Sequence, residues 1–305
     1  MLKQILLILG KIFLIWIFFS LLFFYAGKYI PFGPEQTFLT APFSVLFFLS
    51  LASFLTAFFI IHGQPLLAQQ HRVRGMLLVL SFFFGTAMFA FVRGGGSSHG
   101  IIYTAVTANL LLFANLLGTW IAAPLKRPAE LIPLCLVMAL SDIFSVAAGP
   151  TEKFAETIAQ YYRSGMKGPA PLIDFILFKI PVPGTEKMVP LFGLADWVII
   201  AFLAACAAKF GFHDNLAGKG LGEMAEKKRP VFYFPASLAG LIFGIFLAWY
   251  SGVFLPALPL IVIFFLTYII PKYAQIRKIT ASDLKLMLGT LLIMGTLLAI
   301  RFILL

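Results

Sequence analysis

Two aspartates set in apolar runs, Asp142 and Asp196, are the residues of this chain best suited to chemistry. The first lies in ELIPLCLVMALSDIFSVAAG (130–149), the second in KMVPLFGLADWVIIAFLAACAAK (187–209). A carboxylate inside a membrane helix is costly, and its default reading is functional. Two that meet in a poorly solvated site cannot both ionise and should share one proton. The ionised member then takes a proton from an attacking water. The protonated member hydrogen-bonds a peptide carbonyl and later helps protonate the leaving nitrogen. Such a pair titrates as a unit, so neither residue is assigned alone as base or acid. That chemistry is aspartyl proteolysis.

The runs that carry them must cross a bilayer. The chain is 61% hydrophobic and 11% charged, with mean hydropathy +0.99. Soluble domains carry about 25% charged residues, so a multi-pass membrane protein is indicated. The expected fold is an all-α bundle of nine transmembrane helices. The spans run about 5–26, 41–61, 75–92, 101–123, 129–149, 187–209, 231–250, 253–270 and 286–304, each close to the roughly 20 residues needed. The first is too long for a signal-peptide core, so it is expected to remain as a span. The N-terminal four spans (1–128) offer packing and no chemistry. The core (129–271) holds both aspartates, and 272–305 adds a last helix.

Pro31-Phe32-Gly33-Pro34 and Arg93-Gly94-Gly95-Gly96-Ser97-Ser98 read as links. Ala139, Asp142, Ser145 and Gly149 recur at helical spacing as a small polar stripe facing the bundle interior. In the 150–186 loop, Phe154, Ile158 and Tyr161 predict an interfacial helix. Leu172 to Ile180 is too short to span and reads as a strand or re-entrant piece. The glycine-rich stretch 211–230 reads as a mobile loop, because Gly218 to Gly222 lacks phosphate-loop spacing.

The net charge of +11 is better explained by basic cytoplasmic loops and anionic lipid than by nucleic acid. Lys3, Arg72, Arg74, Lys126, Arg127, Lys219, Lys227, Lys228, Arg229, Lys272, Arg277, Lys278 and Lys285 fall on one side of a nine-span path. The positive-inside rule places the N-terminus in the cytoplasm, and the C-terminus and the 150–186 loop outside, in a cell-membrane protein. The fifth span then runs outward and the sixth returns, setting both aspartates about 10–14 Å in from the external end. Cys135 and Cys206 read as buried small hydrophobes with no disulfide. His62, His71, His99 and His213 lie at span ends or in loops, so no metal and no cofactor is expected.

Ser141-Asp142-Ile143-Phe144, Gly193-Leu194-Ala195-Asp196 and Pro256-Ala257-Leu258, in that order, resemble the presenilin and signal peptide peptidase family of intramembrane aspartyl proteases. The resemblance covers about 129–271. It implies a presenilin-like core in which Asp142 and Asp196 are catalytic. Gly193, Leu194, Ala195, Pro256, Ala257 and Leu258 would support the site and the substrate. The sequence departs at Ser141, where the family has Tyr, at Ala195, where it has Gly, and in an additional C-terminal span. The implied partners are the lipid bilayer and substrate transmembrane segments, such as remnant signal peptides or anchors with an inside N-terminus. A substrate helix must unwind, and the family is thought to pair it as a strand near Pro-Ala-Leu; Leu172 to Ile180 would offer a partner. A proton-coupled transporter and a catalytically inactive presenilin-like chaperone are the alternatives. Whether the chain acts alone or as a homo-oligomer stays open.

Overall fold

Runs of Leu, Ile and Phe with few polar interruptions leave the backbone only its own groups to bond with, so most of the chain is helix. The computed structural model describes residues 1–29, 34–93, 99–148, 151–166, 168–185, 188–252 and 255–304. In chain order the first helices are α1 (Leu2–Tyr29), α2 (Pro34–Phe58), a π-helical turn (Phe59–Gly63) and α3 (Gln64–Ala68). Then come α4 (His71–Arg93), α5 (His99–Ala122), α6 (Leu131–Ala148) and the amphipathic α7 (Thr151–Arg163). A 3₁₀ turn (Leu172–Ile176) leads into the strands β1 (Leu177–Pro181) and β2 (Met188–Gly193). The chain closes with α8 (Leu194–Phe210), α9 (Leu221–Glu226), α10 (Ala236–Ser251), α11 (Ala257–Ile269) and α12 (Ala281–Leu304). The glycine link at 94–98, part of the turn at 31–33, and Gly149 lie outside the described residues.

Among the described residues, five helical stretches are long and apolar enough to cross a membrane: Leu2–Tyr29, Thr40–Ala68, His71–Arg93, Gly100–Ala122 and Pro128–Val146. α10 and α11 are apolar but shorter. α7 forms where its periodicity predicts, with Tyr161 buried beside Phe89 and Ala170.

Three expectations need correction. The chain is not purely helical, because 187–209 is not one helix. Pro190 cannot donate to a helical ladder, and the segment before Gly193 pairs instead as strand β2. Leu172 to Ile180, read as a strand or re-entrant piece, does end in a strand, β1, entered through the 3₁₀ turn. The helix expected from Val231 begins only at Ala236, with Pro235 as its extended N-cap. The 211–230 stretch is folded rather than loose. Asn215 binds it together, donating from Nδ2 to the carbonyls of Lys219 and Phe232 and accepting at Oδ1 from the amides of Ala217 and Phe234.

Two glycines set the helix spacing around the core. A Cβ on Gly118 of α5 would lie 2.6 Å from the Val198 carbonyl oxygen of α8. One on Gly240 of α10 would lie 2.5 Å from the Leu260 oxygen of α11. Small residues let membrane helices approach at the backbone, and here they seat α8 on α5 and α11 on α10.

Candidate active site

The hairpin that delivers Asp196 is built by its prolines and one turn. Between the strands Gly184 takes φ +88, and Thr185 bonds back to the Val182 carbonyl through both its amide and its hydroxyl. Thr40 Oγ1 donates to the Pro183 carbonyl, tying this turn to α2. The strands run antiparallel, with Leu177 opposite Gly193 and an irregularity between Phe178 and Lys179. Gly193 ends β2 in extended conformation and serves as N-cap of α8.

Asp196 therefore sits in the first turn of α8, not deep within a continuous helix. Its Oδ2 accepts the Gly193 amide over 2.9 Å. This is the carboxylate half of a capping box, in which an acid at the third helical position satisfies the N-cap amide. Ala195 is exposed. Leu194 is half-buried. A Cβ on Gly193 would meet only Asp196 Oδ2, at an ordinary 3.5 Å.

Asp142 lies on α6 and reaches a different helix. Its Oδ2 accepts the Leu258 amide over 3.1 Å. Pro256 is the N-cap of α11 and Pro259 its third residue, and neither has an amide hydrogen. Only Ala257 and Leu258 keep free donors in that first turn, and Asp142 takes one of them. α11 packs on both α6 and α8. The two carboxylates are near enough to interact through space. Both are partly exposed, and among the described residues no hydrogen bond reaches Oδ1 of either. The structure thus brings the three predicted segments together, with Pro256, Ala257 and Leu258 beside Asp142.

The supporting shell was not foreseen. Trp197, fully buried next to Asp196, donates from Nε1 to Thr56 Oγ1 over 3.1 Å. Thr56 donates onward to Asn115 Oδ1 over 2.9 Å. This chain pins α8 to α2 and α5. The Trp197 ring stacks on Phe192, which stacks on Phe178, so the hairpin and the helix share one aromatic column.

A second buried cluster anchors the hairpin. Lys179 Nζ lies 2.7 Å from Asp174 Oδ2, with the two side chains 1% and 0% exposed. Tyr103 and Tyr162 donate to the same carboxylate, and the ammonium stands over the Tyr103 ring. Burial pushes the Lys179 ammonium down to about 8, and the charge and hydrogen bond of Asp174 oppose that. The sequence signal was present: an acid and a base five residues apart in an otherwise apolar loop.

Cys135 and Cys206 are buried in the core. Among the described residues no group of three His, Cys, Asp or Glu side chains is placed to hold a metal ion. Compared with protein-family models, curated proteins and solved structures, the chain matches none significantly.

Proposed function

We propose that this chain is an intramembrane aspartyl protease, hydrolysing peptide bonds within substrate transmembrane helices with Asp142 and Asp196 as its acid–base pair. The observation that carries the reading is that Asp142 is seated on the amide-poor start of α11, which packs on the helix carrying Asp196, with the two carboxylates within electrostatic reach of each other. Each is held through Oδ2 by one main-chain amide, leaving Oδ1 to address a water and a scissile carbonyl. A β-hairpin feeding directly into Asp196 adds to this. Among the described residues β2 has no strand partner besides β1, and an unwound substrate segment joining β2 would run beside the carboxylate.

The proposed topology has nine spans. α8, α10 and α11 cross beside the five long stretches, and α12 is the last. The N-terminus is cytoplasmic and the C-terminus external, as the distribution of basic loops requires. A C-terminal tag labelled only after permeabilisation would defeat that arrangement.

Proteolysis is tested with detergent-purified chain and a labelled transmembrane peptide carrying helix-weakening residues. Cleavage should occur with the native chain and vanish in Asp142→Ala and in Asp196→Ala. Cleavage surviving in either variant rejects the pair. Silence of the native chain across a peptide panel, persisting in Ala195→Gly, moves the function to proton-coupled transport or a non-catalytic role.

A further inference from the structure

The first turn of α4 holds a positive charge that no described residue neutralises. Arg74 is 2% exposed. Its Nε has no hydrogen-bond partner, and among the described residues no carboxylate pairs with it. Burying an unpaired cation is strongly unfavourable, and a helix N-terminus, itself the positive end of the dipole, is the worst place for one. The first intrahelical bond of α4 runs from the Arg74 amide to the Gln70 carbonyl. The amides of His71, Arg72 and Val73 therefore lack helical acceptors, and this first turn contains no acid to cap them. Arg72 is exposed beside them.

A buried, unpartnered arginine in the first turn of a helix whose starting amides are free offers both kinds of donor that take a phosphate. Its place selects the source. α4 is the least buried of the five span-length stretches, with Met76, Val79, Leu80, Phe82 and Phe83 exposed along it. That apolar face meets acyl chains, and the arginine stands at its end, on the side that carries the basic loops. We propose that the start of α4 binds the phosphate of an anionic phospholipid, with Arg74 as buried counter-charge and Arg72 at the rim. A zwitterionic headgroup fits less well, because its cationic end would face Arg72. The inference is independent of proteolysis, since its readout is lipid retention.

The test uses the purified full chain in detergent, examined by native mass spectrometry with phosphatidylglycerol, phosphatidylcholine or inorganic phosphate added. The expected result is one retained phosphatidylglycerol under conditions where phosphatidylcholine is lost, with at least tenfold weaker retention in Arg74→Met. Arg74→Lys keeps the charge without the fork and should fall between; it decides the matter alone if Arg74→Met cannot be purified. Equal retention of both lipids overturns the proposal, as does retention unchanged in the variants. Thermal stabilisation by inorganic phosphate equal to that by phosphatidylglycerol assigns the site to free phosphate and overturns the lipid assignment.

Discussion

The amide of Leu258 donates to Asp142 across 116 positions of sequence, and this one bond joins the carboxylate of α6 to the start of α11. Proline at 256 and 259 makes that amide one of two donors in the turn. A Pro-Ala-Leu-Pro start thereby becomes a specific seat for an acid from another helix. Among the described residues no cation pairs with the acid seated there.

Separating the seat from the chemistry is the first prediction. Asp142→Asn keeps an acceptor for Leu258, so thermal unfolding in detergent should shift little while peptide cleavage is lost. Asp142→Ala leaves the amide unpaired and should also cost about 1 kcal/mol of stability. A cleavage-competent Asn variant would end the acid–base assignment.

The Trp197–Thr56–Asn115 chain predicts a contrast between two small substitutions. Thr56→Val preserves shape but removes the hydroxyl that both accepts from Trp197 and donates to Asn115. It should cost about 1–2 kcal/mol and lower cleavage, because the first turn of α8 loses its anchor. Thr56→Ser keeps the hydroxyl and should behave nearly as the native chain. Equal effects of the two would show that packing, not the hydrogen bonds, matters there.

These residues also mark the limit of what sequence alone conveys. Asp142 and Asp196 stood out because an acid in an apolar run is too costly to sit there without a role. Composition placed the long helices α1, α4 and α5 within a few residues. The strand β2 was hidden, since Met188 to Gly193 is as apolar as the helix that follows; only Pro190 spoke against helix. Thr56 and Asn115 carried no signal, because their meeting with Trp197 depends on the rotation of three helices about their axes. Gly118 and Gly240 were indistinguishable from other small residues until the backbones they face were known.

The buried ion pair yields a test of the hairpin. Lys179→Met leaves Asp174 as an uncompensated buried charge and should cost about 3–5 kcal/mol. Adding Asp174→Asn removes that charge while keeping an acceptor for the Tyr103 and Tyr162 hydroxyls. The double variant should recover much of the loss in thermal unfolding. Cleavage should follow the same order, since Lys179 sits on the strand that pairs with β2. A double variant less stable than Lys179→Met would show that the ion pair does more than neutralise Asp174.

Asp214, in the folded segment between α8 and α10, predicts a pH dependence of opposite sign to that of a salt-bridged acid. Burial pushes its carboxyl up to about 7, against the opposing hydrogen bond from the Tyr233 hydroxyl at 2.6 Å. Its Oδ1 is buried with no partner, which a protonated carboxyl tolerates far better than a carboxylate. In the unfolded chain the group ionises near its ordinary value of 3.8. Between that value and about 7 the folded state holds the extra proton, so stability falls as pH rises and levels off above about 7. Thermal unfolding in detergent at pH 5 and pH 7.5 should show the native chain more stable at the lower value, to an extent that Asp214→Asn reduces. A slope that persists undiminished in Asp214→Asn would place its origin in other groups.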